Sequence, residues 1–279
     1  MPYKAEISRR NPACILFLID QSGSMSDEFS DTPGTKLADG VADAINKLLQ
    51  NLVIKCSKPE IRDYFEVGVI GYGASVGPAF SGTLSGRDLV PISEVANQPS
   101  RIEKRQRKES DSAGGILTLD EDFAVWFDAV AMGGTPMCEA LKHAHDILAE
   151  WIKKHPESYP PIVINITDGE ATDGNPVGPT QELMNLSTND GNVLVYNCHI
   201  SAKPEKPITF ADTDRGLPDE FAQMLFEMSS VIPDSIRQEA QKAGLQTGEH
   251  ARGFVFNSGL VELVTMLDVG TRIPTAQLR

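Results

Sequence analysis

Five residues in three separate stretches carry the oxygen atoms with which a protein could hold a hard cation. Asp20, Ser22 and Ser24 stand within five residues in Asp20-Gln-Ser22-Gly-Ser24. Thr135 follows two glycines in Gly133-Gly134-Thr135-Pro136, and Asp168 opens Asp168-Gly169-Glu170. One carboxylate and two hydroxyls so close in sequence are hard ligands, suited to magnesium, manganese or calcium rather than zinc. Gly23 allows the tight turn that would aim both serine hydroxyls at one point. Taken alone, the first stretch also fits a strand end with an ordinary Asp and Ser turn. If all five residues converge, two carboxylates repel, and one keeps its proton unless a cation separates them. Magnesium takes six oxygens and retains waters. Two carboxylates at most balance its charge, and neutral hydroxyls leave it electrophilic. An open coordination position would then favour a carboxylate from outside, which is binding without catalysis.

Regular elements must deliver these residues to one place. Residues 14–19 form an uninterrupted apolar run, too short for a buried helix, that reads as a buried strand ending at Asp20. Residues 162–167 read as a second buried strand, ending at Asp168. In an open parallel sheet, ligands bind just past the carboxyl ends of the strands. Thr135 is expected to cap a helix whose first residue is Pro136 and whose apolar face carries Met137, Leu141, Ala144, Leu148 and Trp151. Leu37, Val41, Ile45, Leu48 and Leu52 mark an earlier helix capped by Thr35. Further strands are expected at 64–72, 193–199 and 254–256, with helices at 219–229, 234–242 and 260–267, the last capped by Ser258. Alternating strands and helices predict a doubly wound, mostly parallel α/β sheet covered on both faces. One domain over residues 1–279 is expected, with an insertion at about 73–131.

Composition narrows the function. The 279-residue chain has 41% hydrophobic and 23% charged residues, ordinary for a globular protein with a real core. Its net charge of −14 opposes nucleic-acid binding and attachment to anionic membranes. No apolar run reaches the roughly 18 residues of a membrane span, and none at the N-terminus resembles a signal peptide. Cys14, Cys56, Cys138 and Cys198 are far apart and form no CxxC pair, so neither a zinc site nor a disulfide framework is indicated. A cytoplasmic location is the expectation. The basic cluster Arg101-Ile-Glu-Lys-Arg-Gln-Arg-Lys108 reads either as a docking arm for an acidic partner or as a solvated, mobile insertion.

The ordered set Asp20-Gln-Ser22-Gly-Ser24, Gly134-Thr135-Pro136 and Thr167-Asp168-Gly169 resembles the metal-ion-dependent adhesion site of von Willebrand factor A (VWA) domains. The likeness runs over roughly the whole chain. It implies a doubly wound sheet with one short antiparallel edge strand. It also implies Ser22, Ser24 and Thr135 as hydroxyl ligands, with Asp20 and Asp168 bound directly or through water. The implied ion is Mg2+, with Mn2+ or Ca2+ as alternatives, and the implied partner is a protein that offers an Asp or Glu. The chain looks most like cytosolic stand-alone prokaryotic members, some of which work beside kinases, phosphatases or ring ATPases, and the likeness implies a signalling or assembly adaptor. That makes it a binding module and not an enzyme. The region 73–131 is longer than a minimal domain of this kind needs.

Other readings start from other residues. Gly73-Ala-Ser75-Val-Gly77 matches the G-x-S-x-G of serine hydrolases, with Asp168 and His199 or His250 following in the expected order. That elbow must turn into a helix, whereas Gly77-Pro78 and further glycines follow here. Phosphoryl transfer on Asp20 usually needs a second acid two residues on, where Ser22 stands. A purely structural metal site is the remaining alternative.

Overall fold

The computed structural model describes residues 2–57, 60–110, 116–204, 206–242 and 244–271. In chain order the first half contains β1 (Ala13–Asp20), α1 (Leu37–Cys56), β2 (Phe65–Tyr72), β3 (Val76–Pro78), β4 (Val90–Pro91), α2 (Ile92–Asn97), β5 (Arg101–Ser110) and β6 (Ile116–Val125). Then come α3 (Met137–Lys154), β7 (Ile162–Thr167), α4 (Val177–Asn185), β8 (Ser187–Thr188), β9 (Gly191–Asn192) and β10 (Leu194–Ile200). The chain continues through β11 (Ile208–Thr209), α5 (Glu220–Glu227), α6 (Asp234–Lys242), β12 (Phe254–Ser258) and α7 (Leu260–Gly270).

The central sheet has the order β11-β12-β10-β7-β1-β2-β3, and β4 also pairs with β2. Its five central strands are parallel, while β3, β4 and β11 run antiparallel at the two edges. This is the doubly wound, mostly parallel α/β class that the alternation predicts. Side-chain alternation along β1 explains the two layers. Ala13, Ile15, Phe17 and Ile19 join one core with apolar residues of α1, α6 and α7. Cys14, Leu16 and Leu18 join the other, with residues of α3, α4 and α5. A strand buried on both faces needs a near-continuous apolar run, which β1 has up to Ile19 and β7 has apart from Asn165.

Sheet order also creates the crevice. From β1 the chain moves outward to β2, whereas β7, on the other side of β1, leads outward to β10. The order therefore reverses between β1 and β7, the position at which such sheets leave an opening above their carboxyl ends. A buried polar relay ties the strands together just below it. Tyr72 donates to Asn165 Oδ1 at 2.7 Å, Asn165 Nδ2 to Asn197 Oδ1 at 3.0 Å, and Asn197 Nδ2 to the Met228 carbonyl at 3.1 Å. Fully satisfied networks of this kind fix one arrangement of the core.

Three local expectations are corrected. Thr35 does not cap α1: Lys36 holds that position, and the Thr35 carbonyl accepts from Phe29 N instead. Gly259, not Ser258, precedes α7, and its N–H is received by Glu262 Oε2 at 3.2 Å. The basic cluster is neither a loop nor a free arm but strand β5, paired antiparallel with β6 along its length. Its cations meet acids. Lys104 pairs with Asp122, and Arg105 pairs with Asp43 of α1 at 2.9 Å and with Glu103 at 2.7 Å. The side chains of Arg107 and Lys108 lie outside the described residues.

Candidate metal centre

Parallel pairing sets β1 and β7 in register from Ile15 opposite Ile162 to Ile19 opposite Ile166. Asp20 and Thr167 thus finish level with each other, and Asp168 stands one residue above. Asp20 is fully buried, and both of its oxygens are held: Oδ1 accepts from Ser22 N at 2.8 Å and Oδ2 from Thr167 Oγ1 at 2.7 Å. From there a chain of oxygens leads outward. Ser22 Oγ lies 3.0 Å from Ser24 Oγ, and Ser24 Oγ donates to Asp168 Oδ1 at 2.9 Å. Ser22 is buried, Asp168 is half-buried and Ser24 is exposed, so the group opens to solvent on its Ser24–Asp168 side.

The loop carrying Thr135 is tied to the first by backbone bonds. Met132 N donates to the Gln21 carbonyl at 2.6 Å, and Gly23 N donates to the Gly133 carbonyl at 3.0 Å. So close an approach demands small residues. Gly133 has φ +97°, and any Cβ there would run into the Ala74 backbone. Thr135 is held from its other side by Thr172, which receives Thr135 N at 3.0 Å on its hydroxyl and donates its own N–H to the Thr135 carbonyl at 2.9 Å. The expected cap is displaced by one residue: Pro136 is the N-cap of α3, and the helix begins at Met137. The exposed first-turn amides are covered by a residue that sequence reading missed. Asp173 accepts from Cys138 N at 3.1 Å and from Glu139 N at 2.9 Å. The Thr135 hydroxyl is thereby released from capping. It has no hydrogen-bond partner among the described residues, although the residue is buried.

Four of the five oxygen-bearing residues from the sequence are linked by direct contact, and Thr135 is tied to their loop through Gly133. Among the described residues, no three His, Cys, Asp or Glu side chains group together as a metal site. The donor set is instead two carboxylates and three hydroxyls. It fits a hard divalent ion on two grounds. An octahedral magnesium ion holds oxygens at about 2.1 Å, so neighbouring ligands stand about 3.0 Å apart. The Ser22–Ser24 and Ser24–Asp168 contacts of 3.0 and 2.9 Å are hydrogen bonds that already hold these oxygens as close as neighbouring ligands would stand. The Thr135 hydroxyl, which has no hydrogen-bond partner among the described residues, is free to supply a further oxygen.

Electrostatics agree with this chemistry. Burial lifts the Asp20 carboxyl to about 6, against hydrogen bonds from Ser22 and Thr167 that pull it down, and Asp168 adds to the rise. Asp168 is also raised, first by burial and then by nearby Asp27. Two neighbouring carboxyls that both resist ionisation form a site to which a cation would bring relief. Next to them His199 is neutral: its Nδ1 accepts from Asn257 N at 3.2 Å, and burial lowers it to about 4. Asn257 reaches it through a register shift between β10 and β12, where its φ is +53°.

The hydrolase motif does not form an elbow. Gly73 N donates to the Ser75 carbonyl at 3.1 Å, and the chain returns as β3 antiparallel to β2, with Ser75 exposed at the hairpin tip.

No protein-family profile matches the sequence, and neither does any curated protein. Solved structures with a similar fold include proximal thread matrix protein 1 from the mussel byssus, with 14% identity and a TM-score of 0.48 over 94% of this chain and 48% of that one. This chain spans about half the length of that mussel protein. Another is the manganese-loaded TRAP protein of Plasmodium vivax, with 13% identity and a TM-score of 0.43 over 92% of this chain and 72% of that one. A third is the ArnB paralog VWA2 from Sulfolobus acidocaldarius, with 13% identity and a TM-score of 0.31 over 68% and 35% of the two chains. Likenesses this distant assign neither family nor function, which rest on the site itself.

Proposed function

We propose that this chain is a VWA-type binding module in which a divalent ion, held by Asp20, Ser22, Ser24, Thr135 and Asp168, receives an Asp or Glu side chain of a partner protein. The observation that carries the reading is the convergence of the Ser22, Ser24 and Asp168 oxygens from two separate loops into one contiguous chain, open to solvent at one end. The ion would supply an electrophilic position for an outside carboxylate. The chain's own residues would fix that position and leave one side of it clear. Magnesium is the preferred ion on the chemistry of the donors, all of them hard oxygens.

Two features favour a protein as the partner. Met132 is 62% exposed and Val130 is 40% exposed, both immediately before the Gly133-Gly134-Thr135 loop. Exposed apolar side chains beside a polar centre suit docking to a surface. Binding is also favoured over hydrolysis, because Ser75 sits on a hairpin tip and not on a strand-to-helix elbow. A cytosolic setting is part of the proposal. It draws on four cysteines that are all buried and free.

Calorimetric titration with Mg2+ and Mn2+, followed by capture from lysate with and without a chelator, tests the reading. The expected result is ion binding that Asp20→Ala abolishes, and a captured protein that is lost in chelator. A folded protein that binds neither ion, or that captures the same protein in chelator, overturns it.

A further inference from the structure

A second site lies at the opposite end of the sheet, against the amino end of β10. A cleft of about 940 Å³ opens there between residues 2–4, the end of α4 and the loop leading into α6. Its inner wall is apolar: Leu194 and Ile232 are buried, with half-buried Met184 and Tyr3 beside them. The charged lining residues Lys4, Asp234 and Glu249 are all exposed, so charge is confined to the solvent side. Tyr3 is held in a left-handed conformation, φ +62°, that tyrosine adopts only under constraint. The constraint is Asp190, whose carbonyl accepts from Tyr3 N at 2.7 Å and whose carboxylate accepts from Ala5 N at 2.9 Å. Behind this wall stand hydroxyls with nothing to bond. The oxygens of Ser235, Tyr159 and Tyr196 are buried and have no hydrogen-bond partner among the described residues. Ser235 lines the cleft itself, and its side chain faces the Tyr159 hydroxyl without a hydrogen bond between them. The Tyr159 ring lies 6.0 Å from that of Tyr3, and Tyr196 is within electrostatic reach of both. Burial raises the Tyr159 and Tyr196 phenols, so both stay protonated and able to donate.

A buried donor left unpaired destabilises the folded chain, so several in one place mark a position that an outside group completes. What the position lacks defines that group. Asp190, the carboxylate within reach of Tyr159, is spent on backbone amides and would repel an anion. A cation would have to leave water for neutral hydroxyls and apolar side chains. A carbonyl oxygen has two lone pairs, enough for the Tyr159 and Ser235 protons at once. The cleft also has the size of a small-molecule site, for which about 300–1,000 Å³ is usual. We propose that it binds an uncharged molecule with an apolar body, whose carbonyl oxygen receives the hydroxyls of Ser235 and Tyr159. This site is separate from the metal centre and does not rest on the metal-dependent function.

Four probes built on one benzene ring test this. Acetophenone and benzamide are neutral carbonyls, and benzoate and benzylammonium are their charged counterparts. Each is titrated into the full chain while the methyl signal of Met184, in the cleft wall, is followed by NMR. The neutral carbonyls should saturate with a Kd at or below about 1 mM, and the charged pair should bind at least about tenfold more weakly. Tyr159→Phe and Ser235→Ala should each weaken acetophenone about fivefold, the worth of one hydrogen bond. Without any probe, Tyr159→Phe should leave the Tm unchanged or raise it, because the hydroxyl removed had no partner. A lower Tm would show that a trapped water already satisfies that hydroxyl, and it would overturn the proposal. Equal binding of all four probes, or no saturation by any of them, overturns it too. So does acetophenone binding that neither substitution weakens.

Discussion

Asp20 is the residue on which most forces converge. It has no exposed surface, yet the proposed function needs it ionised, and burial lifts its carboxyl from the ordinary aspartate value of 3.8 to about 6. In the metal-free protein the folded state therefore keeps a proton that the unfolded chain releases. Above pH 6 the ionised group costs up to about 3 kcal/mol of stability, and this cost is relieved as pH falls through 6 towards 3.8. Asp20→Asn should remove it without breaking the local hydrogen bonds. The amide oxygen can still accept from Ser22 N, and the amide nitrogen can donate to Thr167 Oγ1, whose own proton then serves the Gly169 carbonyl at 2.9 Å. The expected outcome is a higher Tm at pH 7.5 in chelator, together with loss of any rise on adding Mg2+. A Tm below wild type in chelator would show that the charge is not a burden on the empty site.

The elements differ in how plainly the sequence announces them. β1 and β7 are legible because a doubly buried strand is almost wholly apolar, Asn165 being the one polar residue inside β7, and because Asp20 closes β1 while Asp168 directly follows β7. The ribbon of β5 and β6 is not. Arg101, Lys104 and Gln106 face solvent, so its alternation is among polar residues, and the acids that answer its bases are spread over β5, β6 and α1. Its stability should rest on Arg105, which pairs with Asp43 and lies 3.7 Å over the Phe123 ring. Arg105→Ala should cost about 1 kcal/mol in urea unfolding. Lys104→Ala, whose partner Asp122 is well exposed, should be indistinguishable from wild type. Asp173 is illegible for another reason: it lies in a glycine-rich loop and caps a helix that starts 36 residues before it, at Met137. Asp173→Ala should destabilise by about 1 kcal/mol. Because Thr135 adjoins that helix start, the substitution should also weaken Mg2+ binding measured by calorimetry. Full Mg2+ affinity in a destabilised Asp173→Ala protein would separate the cap from the site.

At the scale of the whole molecule, the carboxyl edge of the sheet joins two titrating groups of opposite sense. His199, on β10, has Asp168 at the end of β7 on one side, with Asp219 of the α5 cap and Lys203 beyond β10 also within electrostatic reach. Its lowered value, about 4, means the unfolded chain takes up a proton that the folded protein refuses. Stability from this group is present above pH 6.5 and is lost as pH falls towards 4, by up to about 3 kcal/mol. Asp20 moves the other way across nearly the same window. In the metal-free wild type the two effects offset each other, so the Tm should change little between pH 6 and 4 on their account. Asp20→Asn leaves His199 unopposed, and its Tm should fall more steeply than wild type over that range. His199→Gln, which can still accept from Asn257 N and donate to the Asp168 carbonyl, leaves Asp20 unopposed, and its Tm should fall less steeply. Carboxylates remote from the site contribute equally to all three proteins, so the differences between the curves report the pair together with Asp168, which lies near both. Three parallel curves of Tm against pH in chelator would mean that the two groups do not titrate in the folded protein as their burial requires.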